Sequence, residues 1–325
     1  MHKDGTVTTI ICGVDVSGAT LDASLGPNGP WRRFPRTPEG IAALAGFGRE
    51  HGVELVAMEA SGGYERLPYA LLWQEGIPCA IANPRQVRRF AEAMGFLEKT
   101  DRIDAGMISV YAGTRKLAPQ PPPTNLQERL VALTGRLRQV TQARVGHRNQ
   151  RRLVKDAFVL GSIERAITFL NGEIAALERA IADLLREDEL WVSLSRAFRT
   201  IKGVADRTVS NVLALMPEIG TLSNKAAGKL AGLAPIANDT GKRSGPRPVR
   251  GGRAPLRSCL VVVAGIVADH NPDFARVRHR LRQAGKAKKA IRVALARKLL
   301  VRLNAKARDI RRQLGALQGE VGIVG

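Results

Sequence analysis

Cysteine and histidine are both scarce in this 325-residue chain, and each scarcity excludes a kind of chemistry. The three cysteines, Cys12, Cys79 and Cys259, sit singly inside apolar stretches without a paired ligand spacing, so they read as buried small hydrophobes. The five histidines, His2, His51, His147, His270 and His279, are equally scattered, which argues against structural zinc. Long apolar runs are missing too: hydrophobic residues make up 44%, yet no run approaches the roughly 20 residues needed to cross a bilayer. Residues 1–14 have no basic start followed by a signal-peptide core. The expectation is a soluble, cytoplasmic protein with no membrane partner.

What the chain does have is positive charge, +22 overall, and it is unevenly spread. Residues 1–118 carry 13 lysines and arginines against 13 acids, whereas residues 240–325 carry 21 against 4. A polyanion is the commonest partner of so basic a surface, which points to nucleic acid at the C-terminal end.

Strand and helix signals alternate through the first 118 residues. Ile10–Val14 is a short β-branched run; Leu21–Leu25 and Trp31–Phe34 flank the turn-forming Gly26-Pro27-Asn28-Gly29-Pro30. A helix over 38–51, a strand over 53–58, a helix over 64–75 and a strand over 78–82 follow, which predicts an α/β sheet covered on both faces. Pro119-Gln120-Pro121-Pro122-Pro123 cannot continue a helix and marks a linker. Beyond it, Leu126, Leu130, Leu133, Leu137 and Val140, then Ile163, Ile167, Leu170, Ile174, Leu177, Ile181 and Leu184, recur at spacings of three and four. That pattern fits an antiparallel coiled-coil arm and ordinary bundle packing equally well. From Trp191 onward the chain reads as helical, with a glycine turn at Ile201-Lys202-Gly203-Val204-Ala205 that fits a phosphate-holding interhelical turn or a plain one.

Four acids form the candidate site. Asp15 follows the first strand and Glu59 follows the strand over 53–58, so both stand at carboxyl ends of strands, where open α/β sheets bind ligands. Thr100 reads as an N-cap, with Asp101 and Asp104 on one face of the first turn of the next helix. Carboxylates alone, without His or Cys, suit Mg²⁺ or Mn²⁺, and two-metal phosphoryl transfer needs such a cluster.

Taken in order, Gly13-Val14-Asp15-Val16-Ser17, Met58-Glu59-Ala60-Ser61-Gly62-Gly63-Tyr64, Asn83-Pro84-Arg85-Gln86-Val87 and Lys99-Thr100-Asp101-Arg102-Ile103-Asp104-Ala105 resemble the DEDD transposases of the IS110 insertion-sequence family. Leu230-Ala231-Gly232-Leu233-Ala234-Pro235, Gly251-Gly252-Arg253 and His270-Asn271-Pro272 are similar to the family's second domain. The resemblance implies an α/β RuvC-like, ribonuclease-H-type domain over 1–118 whose four acids are Asp15, Glu59, Asp101 and Asp104. A Pro-rich linker and coiled-coil arm over 119–190 and an all-α basic transposase domain over 191–325 then follow. It also implies a homo-oligomer, dimer or tetramer, acting on double-stranded donor and target DNA under the guidance of a noncoding bridge RNA encoded by the element.

In the family a serine of the C-terminal domain attacks DNA and forms a covalent intermediate. The matching motif here is Asn238-Asp239-Thr240-Gly241-Lys242, so Thr240 stands where serine is usual, and its extra methyl stiffens and crowds the hydroxyl. Ser244 lies four residues away, but position in the motif favours Thr240. Lys242, Arg243, Arg247, Arg250 and Arg253 are candidates to clamp phosphates. A basic helix expected over 284–302, with Lys286, Lys288, Lys289, Arg292, Arg297 and Lys298, offers a second strip. The reading is a Mg²⁺- or Mn²⁺-dependent transposase or site-specific recombinase. Its alternatives are a RuvC-like structure-specific nuclease and an inactive nucleic-acid-binding remnant.

Overall fold

The computed structural model describes residues 9–98, 100–237, 239–240, 243–244 and 247–321. The chain divides into two compact units, residues 1–123 and 124–325.

In the first unit, β1 (Ile11–Val16), β2 (Thr20–Ser24) and β3 (Trp31–Pro35) form an antiparallel meander, and β4 (Leu55–Glu59) and β5 (Cys79–Ala82) add parallel to β1. The sheet order is β3-β2-β1-β4-β5. Alternation sorts the side chains onto two faces. Cys12, Val14, Val16, Leu21, Ala23, Val56 and Met58 turn to one face, where they pack with Ile41, Leu44 and Phe47 of α1 (Pro38–Glu50) and with Tyr69 and Leu72 of α2 (Arg66–Gln74). Ile11, Ala57 and Ala82 turn to the other, against α3 (Pro84–Ala93) and α4 (Asp101–Arg115). The proline-rich segment is tied back to this unit, since Tyr69 donates to the carbonyls of Cys79 and Gln120 at 2.8 and 2.6 Å.

The contact that sets the second layer is between Gly13 and α4. A Cβ at Gly13 would lie 2.0 Å from the Ala105 carbonyl oxygen and 2.4 Å from the Ser109 nitrogen, and Ser109 Oγ donates to the Ile11 carbonyl at 2.8 Å. Only glycine lets the helix lie this close to the strand. The strand itself runs two residues further than the sequence suggests, to Val16, so Asp15 lies within β1 and Glu59 ends β4. Extended pairing carries both acids out on the α4 face with the backbone still held.

The second unit is helical. α5 (Asn125–Arg151) and α6 (Ala157–Arg186) are joined by a short turn and pack side by side. Leu130, Leu137, Val140, Ile174, Ile181 and Leu184 merge into one core with α7 (Glu189–Arg199), α8 (Asp206–Leu215), α9 (Asn224–Leu230), α10 (Ala254–His270), α11 (Pro272–Gln283) and α12 (Lys288–Val321). Gly203, with φ +96°, turns its Cα onto α10, where a Cβ would meet the backbone of Val267 at 2.9 Å. That turn is therefore a packing joint. No helix among the described residues is long and apolar enough to cross a membrane.

Gly13→Ala is expected to lower the stability of the first unit by about 3 kcal/mol, the upper part of the usual range for overpacking, because helix backbone and not a flexible side chain must yield. Urea denaturation of the full chain measures this, and an unchanged midpoint for the first unit would contradict the close approach.

Candidate active site

Four strands bring a row of charged side chains to the α4 face. In the β1–β2 register Asp15 lies opposite Asp22, and in the β2–β3 register Asp22 lies opposite Arg33. On the other side of β1, Val14 pairs with Met58, so one residue further Glu59 runs beside Asp15. The row across the sheet is thus Glu59, Asp15, Asp22, Arg33. Above it, Thr100 caps α4 by accepting from the Ile103 amide at 3.3 Å, which starts the helix with Asp101 and Asp104 in its first turn.

These groups interact. Burial pushes the Asp15 carboxyl up to about 6, helped by the negative charges of Asp104, Asp101 and Asp22 and opposed by the Val16 amide. Asp22 is only 2% exposed and is held by Arg33, whose Nε donates to both carboxylate oxygens at 2.9 and 3.2 Å. The same guanidinium reaches Asp101 through Nη2 at 2.6 Å. Among the described residues no three His, Cys, Asp or Glu side chains stand close enough together to hold a metal ion as they are. The donor chemistry nevertheless fits a hard cation: the acids on this face offer oxygen only, and the neighbouring carboxylates add to the rise at Asp15.

Asp22 and Arg33 were missed in the sequence reading. The signal was available, because closing the hairpin with Ser24 opposite Trp31 sets Asp22 opposite Arg33.

In the second unit, the chain before residue 233 and after residue 251 meets at one backbone crossing. Gly232 and Gly252, with φ +66° and +63°, pass so close that a Cβ on Gly252 would lie 2.3 Å from the Gly232 nitrogen, and the Arg253 amide donates to the Leu230 carbonyl at 2.8 Å. Beyond the crossing, Pro235 bridges Val249, and the short strands β6 (Asp239–Thr240) and β7 (Arg243–Ser244) pair with Thr240 opposite Arg243. Lys242 lies outside the described residues, and so do the side chains of Thr240, Arg243 and Ser244.

The basic candidates separate into two kinds. Arg247, Arg250, Lys286, Lys288, Lys289 and Arg292 are exposed. Lys286 stands in the turn before α12 and not on a helix, because Gly285, at φ +68°, ends α11 there. Arg253 is half-buried: it grips Glu218 through two nitrogens at 2.8 and 2.6 Å and donates to the Leu215 carbonyl at 2.7 Å. Burial raises the Glu218 carboxyl, but hydrogen bonds from Arg253 and the backbone, with the arginine's charge, outweigh it and hold the group below its ordinary value. Lys298 and Arg302 lie over the Phe274 ring, and Arg302 pairs with Asp273 at 2.6 Å. Arg308 and Arg311 donate to carbonyls of Leu222, Ile219 and Pro217. Part of the C-terminal positive surplus therefore fastens helices together.

Comparison with known proteins places two family models in order along the chain. Residues 12–159 match the DEDD family model of IS110 type, described as a transposase, and residues 195–279 match the model described as the transposase IS116/IS110/IS902 family. The pilin gene-inverting proteins of Moraxella lacunata and Moraxella bovis are each 27% identical over 307 residues, covering 89% of this chain and 92% of theirs. The fold and the matches define a DNA transposase or recombinase. The chain belongs to the IS110 family of transposases.

Two predictions follow from the side chains. The native state holds the Asp15 proton more tightly than the unfolded chain does, so stability falls as pH rises from about 4 to about 6 and stays reduced above that. In metal-free buffer Asp15→Asn is expected to melt higher than the parent above pH 6, with the gap closing toward pH 4; a pH-independent difference in thermal melts would contradict this. Arg253→Ala is expected to cost about 1.5–3 kcal/mol by loss of charged hydrogen bonds. Arg250→Ala, at an exposed position, should change stability by less than about 0.5 kcal/mol, and calorimetry separates the two.

Proposed function

We infer that this enzyme cuts and rejoins DNA through a covalent link to Thr240, with Asp15, Glu59, Asp101 and Asp104 forming its Mg²⁺ or Mn²⁺ site. The observation that carries the reading is the mutual influence of the acids at Asp15, where burial and three neighbouring carboxylates favour the protonated form. A hard divalent cation relieves such repulsion and, when bound, neutralises charge on a transferring phosphate. The strand order, a three-stranded meander followed by two parallel strands, supports a RuvC-like, ribonuclease-H-type assignment for residues 1–118. Within the second unit, α5 and α6 are read as a coiled-coil arm for homo-oligomerisation, dimer or tetramer, and residues 191–325 as the transposase domain.

In the covalent step the Thr240 hydroxyl oxygen attacks phosphorus. The new oxygen–phosphorus bond forms as the bond to the departing deoxyribose oxygen breaks; the hydroxyl proton is released and the departing oxygen gains one. Resealing reverses these changes on a new strand end, so no external energy source is needed. The exposed cations Arg247, Arg250, Lys286, Lys288, Lys289 and Arg292 hold phosphates, with Lys242 and Arg243 as candidates beside the nucleophile. A noncoding guide RNA pairing with donor and target DNA accounts for a strongly basic chain without a base-reading motif. The gene inversion in the relatives' name is an outcome of the same cut-and-rejoin type.

Thr240 is the observation that favours the second readings, a hydrolytic nuclease or an inactive remnant, because its methyl group hinders attack. Incubation with element-end DNA, the flanking RNA and Mg²⁺, followed by denaturing electrophoresis, is expected to give a protein–DNA adduct. That adduct should disappear in Thr240→Ala and persist or increase in Thr240→Ser. Free nicks that survive Thr240→Ala would establish the nuclease, and inactivity of both the parent and Thr240→Ser would establish the remnant.

A further inference from the structure

Arg33 stands on the edge strand β3 with its side chain about half exposed, yet it is the partner of an almost fully buried acid. Asp22 has no exit to solvent, and an isolated buried carboxylate is costly, so Nε of Arg33 is committed to it. The other end of the same planar group is in a different position. Nη2 bonds to Asp101, whose side chain is 60% exposed, and this contact at the rim is of the kind that contributes little stability. One guanidinium therefore has a fixed half and a releasable half.

We propose that Arg33 is a resident counter-cation of the acidic face, holding Asp101 through Nη2 so that a divalent ion must displace this contact to recruit that carboxylate. The inference rests on Asp101 being one of the metal-binding acids. Asp101 starts the helix that the Gly13 approach sets against β1, and Arg33 is held in the sheet by the β2–β3 pairing, so the competition needs only side-chain rotation at Asp101 and Arg33. Nε stays on Asp22 throughout, and the sheet keeps its buried pair. The absence of a gathered set of three acids among the described residues accords with Asp101 being turned toward Arg33. Arg33 is thus a positioning residue: it governs which acid is free to bind metal and touches no reacting atom.

The geometry requires a forked donor. Lysine keeps the positive charge and can satisfy Asp22, but it has no second nitrogen to reach Asp101 as Nη2 does while Nε stays on Asp22. Mn²⁺ binding to the full chain, followed by electron paramagnetic resonance of the free ion, is expected to be up to about fivefold tighter in Arg33→Lys than in the parent, the ceiling set by an exposed ion pair of about 1 kcal/mol. In an Asp101→Asn background the same Arg33→Lys change is expected to make no difference. Equal Mn²⁺ affinity of the parent and Arg33→Lys, or a gain that persists without Asp101, overturns the proposal. Asp101→Asn without effect on Mn²⁺ affinity reports instead that Asp101 is not a ligand, which overturns the underlying reading and the proposal together. Should Arg33→Lys fail to fold, the charge-balanced pair Asp22→Asn with Arg33→Gln takes its place, with the same expected gain and the same dependence on Asp101.

Discussion

Everything at the acidic face depends on the absence of a side chain at Gly13. Because nothing projects there, α4 lies against β1 at backbone distance, and the helix start is carried to the end of the sheet where Asp15 and Glu59 emerge. Period-two alternation does the rest: Gly13 and Asp15 share a face, so the residue that admits the helix and the residue that meets its acids are two positions apart. A strand and a helix distant in sequence meet at backbone distance, with the Ser109 hydroxyl on the Ile11 carbonyl as a further tie, and the carboxylates inherit their spacing from that approach.

Charge in this chain is divided between fastening and handling. Asp22 with Arg33, Glu218 with Arg253 and Asp273 with Arg302 hold elements in place. Around 247–250 and 286–292, by comparison, basic side chains lie exposed at the surface. Net charge alone does not distinguish the two groups, and the distinction matters for any nucleic-acid footprint drawn from basic residues.

Much of this was legible beforehand. The strands, both covering helices of α1–α2 type and the Thr100 cap followed from local chemistry: apolar runs, turn residues and a hydroxyl before an acidic first turn. The ordered motifs around Asp15, Glu59 and Asp101 carried the family. What stayed hidden depended on pairing across the chain. Arg33 looks like any strand-edge cation until the hairpin register sets it against Asp22, and Arg253 looks like a phosphate ligand until the fold brings Glu218 to it. Lys286 was assigned to a helix because the positive-φ role of Gly285 has no periodic signature. Thr240 is the reverse case, its significance coming from motif position alone.

The crossing of Gly232 and Gly252 separates the excursion that carries Thr240 from the helices that support it. Its neck is closed by two glycine backbones and by the Arg253 amide on Leu230, so a side chain added at either glycine would pry the two ends of that segment apart.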